Sequence, residues 1–183
     1  VVNVAALAPH KGQTFLVSAA ATLVRRMPDV RILIVGEGEL RERLQHQITS
    51  LGLDRHVMLT GFRHDVVGIL KSADLVVISS ITEGLGSVIL EAMACRRAVV
   101  GTRTGGIPEA VADDVTGLLV PPRDEAALAE AILALLRDTD RRRVMGEAGR
   151  ARVEHEFSLD ALVQSTNAVY ERFQAGSRET SRP

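Results

Sequence analysis

A chain of 183 residues with a formal net charge of −1 fits a single domain. At that size about 70% of the unfolded surface is buried without disulfide or metal staples. One cysteine, Cys95, excludes an intramolecular disulfide framework and points to a reducing, cytoplasmic setting. An aromatic content of 3% and a balanced charge exclude the usual base-stacking surfaces, so no nucleic-acid partner is expected. No apolar run approaches the roughly 20 residues of a membrane-spanning helix, and the opening residues carry no signal-peptide pattern. Val1 instead begins an apolar stretch with no methionine before it, from which we expect a piece of a longer protein.

Apolar runs predict strands over 1–7, 31–35, 57–60, 75–79 and 98–101, with a shorter sixth over 117–120. Helical patterns over 14–26, 40–51, 65–72 and 87–95 fall between them. Continuous apolar strands alternating with helices predict a doubly wound, Rossmann-like parallel sheet of about six strands, covered on both faces. Pro121 and Pro122 end the sheet, and extra C-terminal helices are expected over 124–136, 140–154 and 159–174. We expect one domain over 1–175 and a polar, disordered tail over 176–183. Open sheets of this kind take ligands outside the carboxyl ends of their strands. That rule singles out the loops at 8–13, 36–39, 61–65, 80–87 and 102–109.

The most informative segment runs from Glu83 to Ala94, E-G-L-G-S-V-I-L-E-A-M-A, immediately after the fourth strand. Its glycines sit where a helix must begin, and bare backbone amides at a helix start suit a phosphate. On a continuous helix Glu83 and Glu91 stand about 12 Å apart and about 80° around the axis. Two carboxylates at that spacing share neither a proton nor a metal. They suit opposite ends of an elongated ligand with a diphosphate between two sugar rings. A capping Glu83 and a solvated Glu91 account for each acid alone, but the pairing with Gly84 and Gly86 favours a ligand.

Lys11, one of only two lysines against twenty arginines, lies beside Gly12 in the first such loop. A compact cation there offsets diphosphate charge, whereas without an anion it sits unfavourably near a helix start. The Gly105-Gly106 loop with Pro108 and Glu109 reads equally as structural or ligand-lining. Gly36-Glu37-Gly38 lacks the third glycine of a dinucleotide fingerprint and is better read as a tight turn. In the D-x-D triplet 138–140, Asp140 reads as a helix N-cap rather than a metal ligand. No metal site is expected, because the five histidines show no ligand spacing and His10 and His64 alone fall in candidate loops. The Arg141-Arg142-Arg143 run reads as a solvated helix face. Peripheral association with the inner face of a membrane is its alternative reading.

Together these residues resemble the C-terminal, donor-binding domain of retaining glycosyltransferases with the two-domain GT-B fold, the glycosyl transferases group 1 family. The likeness spans 4–170 and includes Lys11-Gly12, Gly36 to Gly38, Gly61, Asp74, Glu83 to Ala94, Gly105 to Glu109, Gly117 and Asp124. The resemblance implies a metal-independent transferase that moves a sugar from a UDP-, GDP- or ADP-sugar, with no other cofactor. It implies that Glu91 accepts from the ribose hydroxyls and that the segment Gly84, Leu85, Gly86, Ser87 and Val88 binds the distal phosphate. Glu83 then faces the donor sugar, Lys11 stabilises the departing diphosphate, and Gly61, Phe62 and Arg63 wall the base. The acceptor-binding N-terminal domain of that family is not in this chain, so little turnover is expected from it alone. A nucleotide-sugar epimerase, a phosphorylase or a non-catalytic nucleotide-sugar-binding module on the same architecture are the alternatives.

Two substitutions depart from the family's pattern. Ala6 replaces a usual arginine, so either Arg63 or Arg103 is expected to compensate or activity is expected to be poor. Arg96 and Ala98 replace a glycine and a proline that end the Glu83–Glu91 helix. A non-glycine residue in a left-handed cap costs about 1 kcal/mol, so that turn should differ or be strained.

Overall fold

The structure, a computed structural model, describes residues 1–179. Six parallel strands, β1 (Val2–Val4), β2 (Ile32–Val35), β3 (Val57–Gly61), β4 (Val76–Ile78), β5 (Val99–Thr102) and β6 (Gly117–Val120), form one sheet in the order β3-β2-β1-β4-β5-β6. Each expected strand is present. β1 is shorter than expected because the chain leaves the ladder at Ala5, although Ala5 still donates to the Val35 carbonyl at the end of β2 and Leu7 to the Glu37 carbonyl beyond it.

Among the described residues there are eight α-helices, α1 (Gln13–Arg26), α2 (Arg41–Ser50), α3 (Val66–Ser72), α4 (Ser87–Ala94), α5 (Ile107–Ala110), α6 (Glu125–Arg137) and α7 (Thr139–Glu156) around the sheet, and α8 (Leu159–Glu179) against α7. One face packs Leu16 and Leu23 of α1, Leu44 and Ile48 of α2 and Ile132 of α6 onto Ile32, Ile34, Val77 and Val100. The other packs Leu70 of α3, Ile89 and Met93 of α4 and Ile107 of α5 onto Val2, Val76, Ile78 and Val99. Burial on both faces is why the strands read as unbroken apolar runs. Among the described residues no helix is long and apolar enough to cross a membrane. The backbone of α8 continues past Gln174 to Glu179, and 180–183 of the expected disordered tail lie outside the described residues.

Strand order reverses between β1 and β4. The chain moves outward from β1 through β2 to β3, then returns to lay β4 on the other side of β1. At such a reversal the loops after the two strands splay to opposite faces and leave a crevice.

The turn after α4 keeps the geometry of a glycine cap without the glycine. Arg96 N–H donates to Met93 O and Arg97 N–H to Ala92 O, each at 2.9 Å, the bond pattern of a Schellman closure. Arg96 stands at the left-handed position with φ 56°. The strain expected from the sequence is therefore present, and the exposed Arg96–Glu147 pair at 3.0 Å offsets little of it. Arg96→Gly is expected to raise stability by up to about 1 kcal/mol, read as a higher urea midpoint at unchanged slope.

Candidate functional site

After β1 the chain makes one 3-10 turn, Pro9–Lys11, and enters α1 through Gly12. Gly12 has φ +64°, and a Cβ there would lie 2.1 Å from the Ser79 carbonyl. Only glycine lets this loop lie flat against the end of β4. Ser79 Oγ donates to Lys11 O at 3.0 Å and Ile81 N–H to His10 O at 2.7 Å, so the two loops are stitched together.

That contact brings Lys11 to Glu83. Lys11 Nζ donates to Glu83 Oε1 at 2.9 Å and to Oε2 at 2.7 Å, with side-chain exposures of 20% and 12%. Ser80 Oγ donates to Oε2 at 2.9 Å and the Gly84 amide to Oε1 at 3.2 Å. Burial works against the charged form of Glu83. The bonds from Lys11 and Ser80, the Lys11 charge and the Gly84 amide outweigh it and hold the carboxyl below its ordinary value.

Beyond Glu83 the chain turns through Gly86, at φ +71°, into α4. The helix begins at Ser87, so the helical spacing drawn from Glu83 to Glu91 applies only from Ser87 onward. The two acids still face one space. A hollow of about 480 Å³ is lined by Asn3, Ala6, Lys11, Ser80, Glu83 and Glu91, with Gly86, Ser87 and Val88 along one wall. No side chain caps α4, and no acceptor among the described residues takes the amides of Leu85, Gly86, Ser87 or Val88. Exposed Glu91 projects from the first turns of the helix. One wall thus offers unpaired N–H groups at a positive helix end, with a carboxylate on either side.

The loop after β5 braces this arrangement from behind. Thr102 Oγ1 donates to Ser80 O at 2.6 Å, Thr104 Oγ1 to Ile81 O at 3.0 Å and the Gly106 amide to Gly84 O at 2.7 Å. A Cβ on Gly105 would lie 1.7 Å from the Glu83 carbonyl. Gly105 and Gly106 are thus the support of the Glu83 loop and do not line the hollow. Pro108 occupies the first turn of α5, as expected.

Other expected residues lie elsewhere. Gly61 ends β3 and Phe62 and Arg63 follow it, all outside the lining of the hollow. Phe62 is exposed, meets His64 edge-on at 4.8 Å and donates its amide to Glu37 Oε1 at 3.4 Å. Neither arginine expected to compensate for Ala6 lines the hollow. Arg63 is forked onto Asp65 at 2.7 and 2.8 Å, and Arg103 is bound to Asp113 at 2.5 Å. Among the described residues, Lys11 is the one cationic side chain in the lining.

Two further readings are corrected. The N-cap of α7 is Asp138, which accepts from Arg141 N–H at 2.8 Å, while Asp140 lies in the first turn. The arginine run is not one solvated face. Arg141 pairs with Asp114, and Arg142 turns inward to donate to Leu135 O and Leu136 O at the end of α6.

Several buried polar residues are not singled out by the sequence, and three of them adjoin the site. Asn3, inside β1, donates from Nδ2 to Val77 O at 2.8 Å, and its buried Oδ1 finds no partner. Ser79 and Ser80, just beyond β4, are 1% and 2% exposed. The available signal is polarity inside or next to an apolar strand, where each buried group needs a partner.

The model of the family described as glycosyl transferases group 1 matches residues 1–152. The chain belongs to that family. A relative from Corynebacterium glutamicum, a GDP-mannose-dependent monoacylated alpha-(1-6)-phosphatidylinositol monomannoside mannosyltransferase, is 36% identical over 163 residues. The match takes in 85% of this chain but 42% of that relative, so the chain spans less than half its length. The crystal structure of Anabaena HepE in complex with UDP superposes with a TM-score of 0.85 at 31% identity, over 93% of this chain and 48% of that one. The C-terminal domain of the group 1 protein LpcC from Francisella tularensis superposes at 0.80 with 26% identity, over 86% of both chains. The fold expected from the resemblance, the Rossmann-like domain of a GT-B glycosyltransferase, is the fold observed.

In this group 1 domain the Lys11–Glu83 pair gives a pH signature. Because folding lowers the Glu83 value, its stabilisation is complete above the ordinary 4.5 and is lost as pH falls through the lower folded value. Lys11→Met is expected to cost roughly 1–2 kcal/mol at pH 7, with the gap to wild type closing on acidification below that range. Urea denaturation of both proteins across pH 3–7 measures the gap.

Proposed function

We propose that this domain binds the nucleotide-diphosphate-sugar donor of a retaining, metal-independent glycosyl transfer. The observation that carries the reading is the single hollow faced by Lys11, Glu83, Glu91 and the unpaired amides at the start of α4. A diphosphate fits that wall because its oxygens accept from the amides and its charge meets the helix dipole. Glu91 accepts from the two ribose hydroxyls, and Glu83 holds hydroxyls of the donor sugar beside the developing cationic centre. Lys11 moves to the diphosphate as it leaves and supplies the positive charge that a divalent metal supplies in other transferases. Gly61, Phe62 and Arg63 border the base, with the exposed Phe62 ring as its apolar surface.

HepE with bound UDP and the GDP-mannose-dependent relative support the donor class and leave the base open among uridine, guanosine and adenosine. The retaining outcome is supported by the resemblance of the Glu83–Ala94 segment to retaining enzymes. Acceptor binding belongs, on this reading, to the part of the longer relatives that this chain does not span. The isolated chain then binds donor and turns over little.

Calorimetry with UDP, GDP and ADP tests the reading. Glu91→Ala is expected to weaken the best of the three by about tenfold or more, the worth of a carboxylate's bonds to two hydroxyls. Equal affinities for wild type and variant would remove Glu91 from the site.

A further inference from the structure

Glu83 accepts four hydrogen bonds, two from Lys11 Nζ and one each from Ser80 Oγ and the Gly84 amide. A carboxylate offers about four lone-pair sites, so in this state the protein fills all of them. Glu83 can hold sugar hydroxyls only after a protein donor lets go. Lys11 is the one that a diphosphate would draw away, because it is the flexible cation. Ser80 is not free to follow. It is buried, it lies two residues beyond β4, and Thr102 holds its carbonyl at 2.6 Å. The neighbouring Ser79 is equally buried and faces the other partner, with its hydroxyl on the Lys11 carbonyl at 3.0 Å.

We infer that Ser80 is a positioning residue that keeps the Glu83 carboxylate aimed into the hollow when Lys11 leaves it, while Ser79 fixes the base of the Lys11 loop. Two consecutive residues of β4's end thereby set the acid and the cation in register. The inference rests on the donor reading for its purpose, but the Ser80–Glu83 bond is testable without any ligand.

The charged groups lining the hollow with Glu83 are Lys11 and Glu91. The experiment follows the Glu83 carboxyl by carbon NMR through an acid titration of the full 183-residue chain. Variants are Ser80→Ala, Ser80→Cys, Ser80→Thr and Ser79→Ala, with Ser80→Ala repeated in Lys11→Met. Ser80→Ala is expected to move the Glu83 midpoint upward, and Ser80→Cys, nearly the same size with a far weaker donor, to move it the same way. Ser80→Thr restores the wild-type midpoint, and Ser79→Ala leaves it in place. The upward shift must persist in the Lys11→Met background, which imitates the departed lysine. A midpoint unmoved by both Ser80→Ala and Ser80→Cys overturns the inference, as does an equal shift from Ser79→Ala or a shift that vanishes with Lys11→Met. UDP, GDP and ADP affinities of the wild type, measured alongside, separate the two ideas. Failure to bind all three sinks the donor reading while the Ser80 result stands or falls by its own titration.

Discussion

The site depends on the adjacency of β1 and β4, two strands distant in sequence that meet where the sheet reverses order. Lys11 follows one strand and Glu83 the other, and no local structure could bring them together. Their contact at 2.7 Å is a product of the parallel register between strands whose cores are already buried. The sheet is the rigid part, built from Val2, Val76, Val77 and Ile78 at near-zero exposure. The loops inherit that rigidity through a few backbone bonds. This ordering explains why the functional residues sit in loops while the segments that place them are apolar and featureless.

The supporting loops divide the labour in a way that chain order hides. Gly105 and Gly106 carry no ligand chemistry, yet a side chain at either position would push into the backbone of Glu83 or Gly84. Gly12 does the same for the contact between the Lys11 loop and Ser79. The Glu83 loop is therefore held from both sides, by the loop after β1 and by the loop after β5. Its free surface is the one turned to the hollow. A backbone whose carbonyls are already taken by Gly106, Thr102 and Thr104 has its remaining amides left for a ligand.

Much of this was legible in the residues. Apolar continuity gave the six strands because burial on both faces removes the alternation that a half-exposed sheet would show. Glycines at a strand-to-helix switch located the α4 amides because few other residues permit that turn. The strain at Arg96 was also legible, since a left-handed cap constrains residue type more than it constrains contacts. What escaped was the hydrogen bonding of particular side chains. Ser79 reaches the Lys11 carbonyl only once β1 lies beside β4, whereas Ser80 reaches Glu83 three residues on, where only the turn of the loop brings the two together. The pairing of Arg63 with Asp65 and of Arg103 with Asp113 is likewise set by loop geometry that residue type alone does not reveal.

With the uncharged Ala6 in its lining, the hollow draws its side-chain charge from three residues. Its lining side chains carry one positive charge, on Lys11, against two negative charges on Glu83 and Glu91. Under the proposed function a diphosphate would add further negative charge to a space that is already net negative. Side-chain charge alone would repel it, so the favourable field would have to come from the start of α4, where unpaired amides and the helix dipole meet the same wall. The Lys11–Glu83 pair belongs to the same balance. Without that partner a lone cation beside the start of α1 would be unfavourable, and without Lys11 the half-buried Glu83 would lose its main counterion. Under the proposed function a diphosphate would draw Lys11 away, and the neighbours that remain, Ser80 and the Gly84 amide, would then set where the carboxylate points.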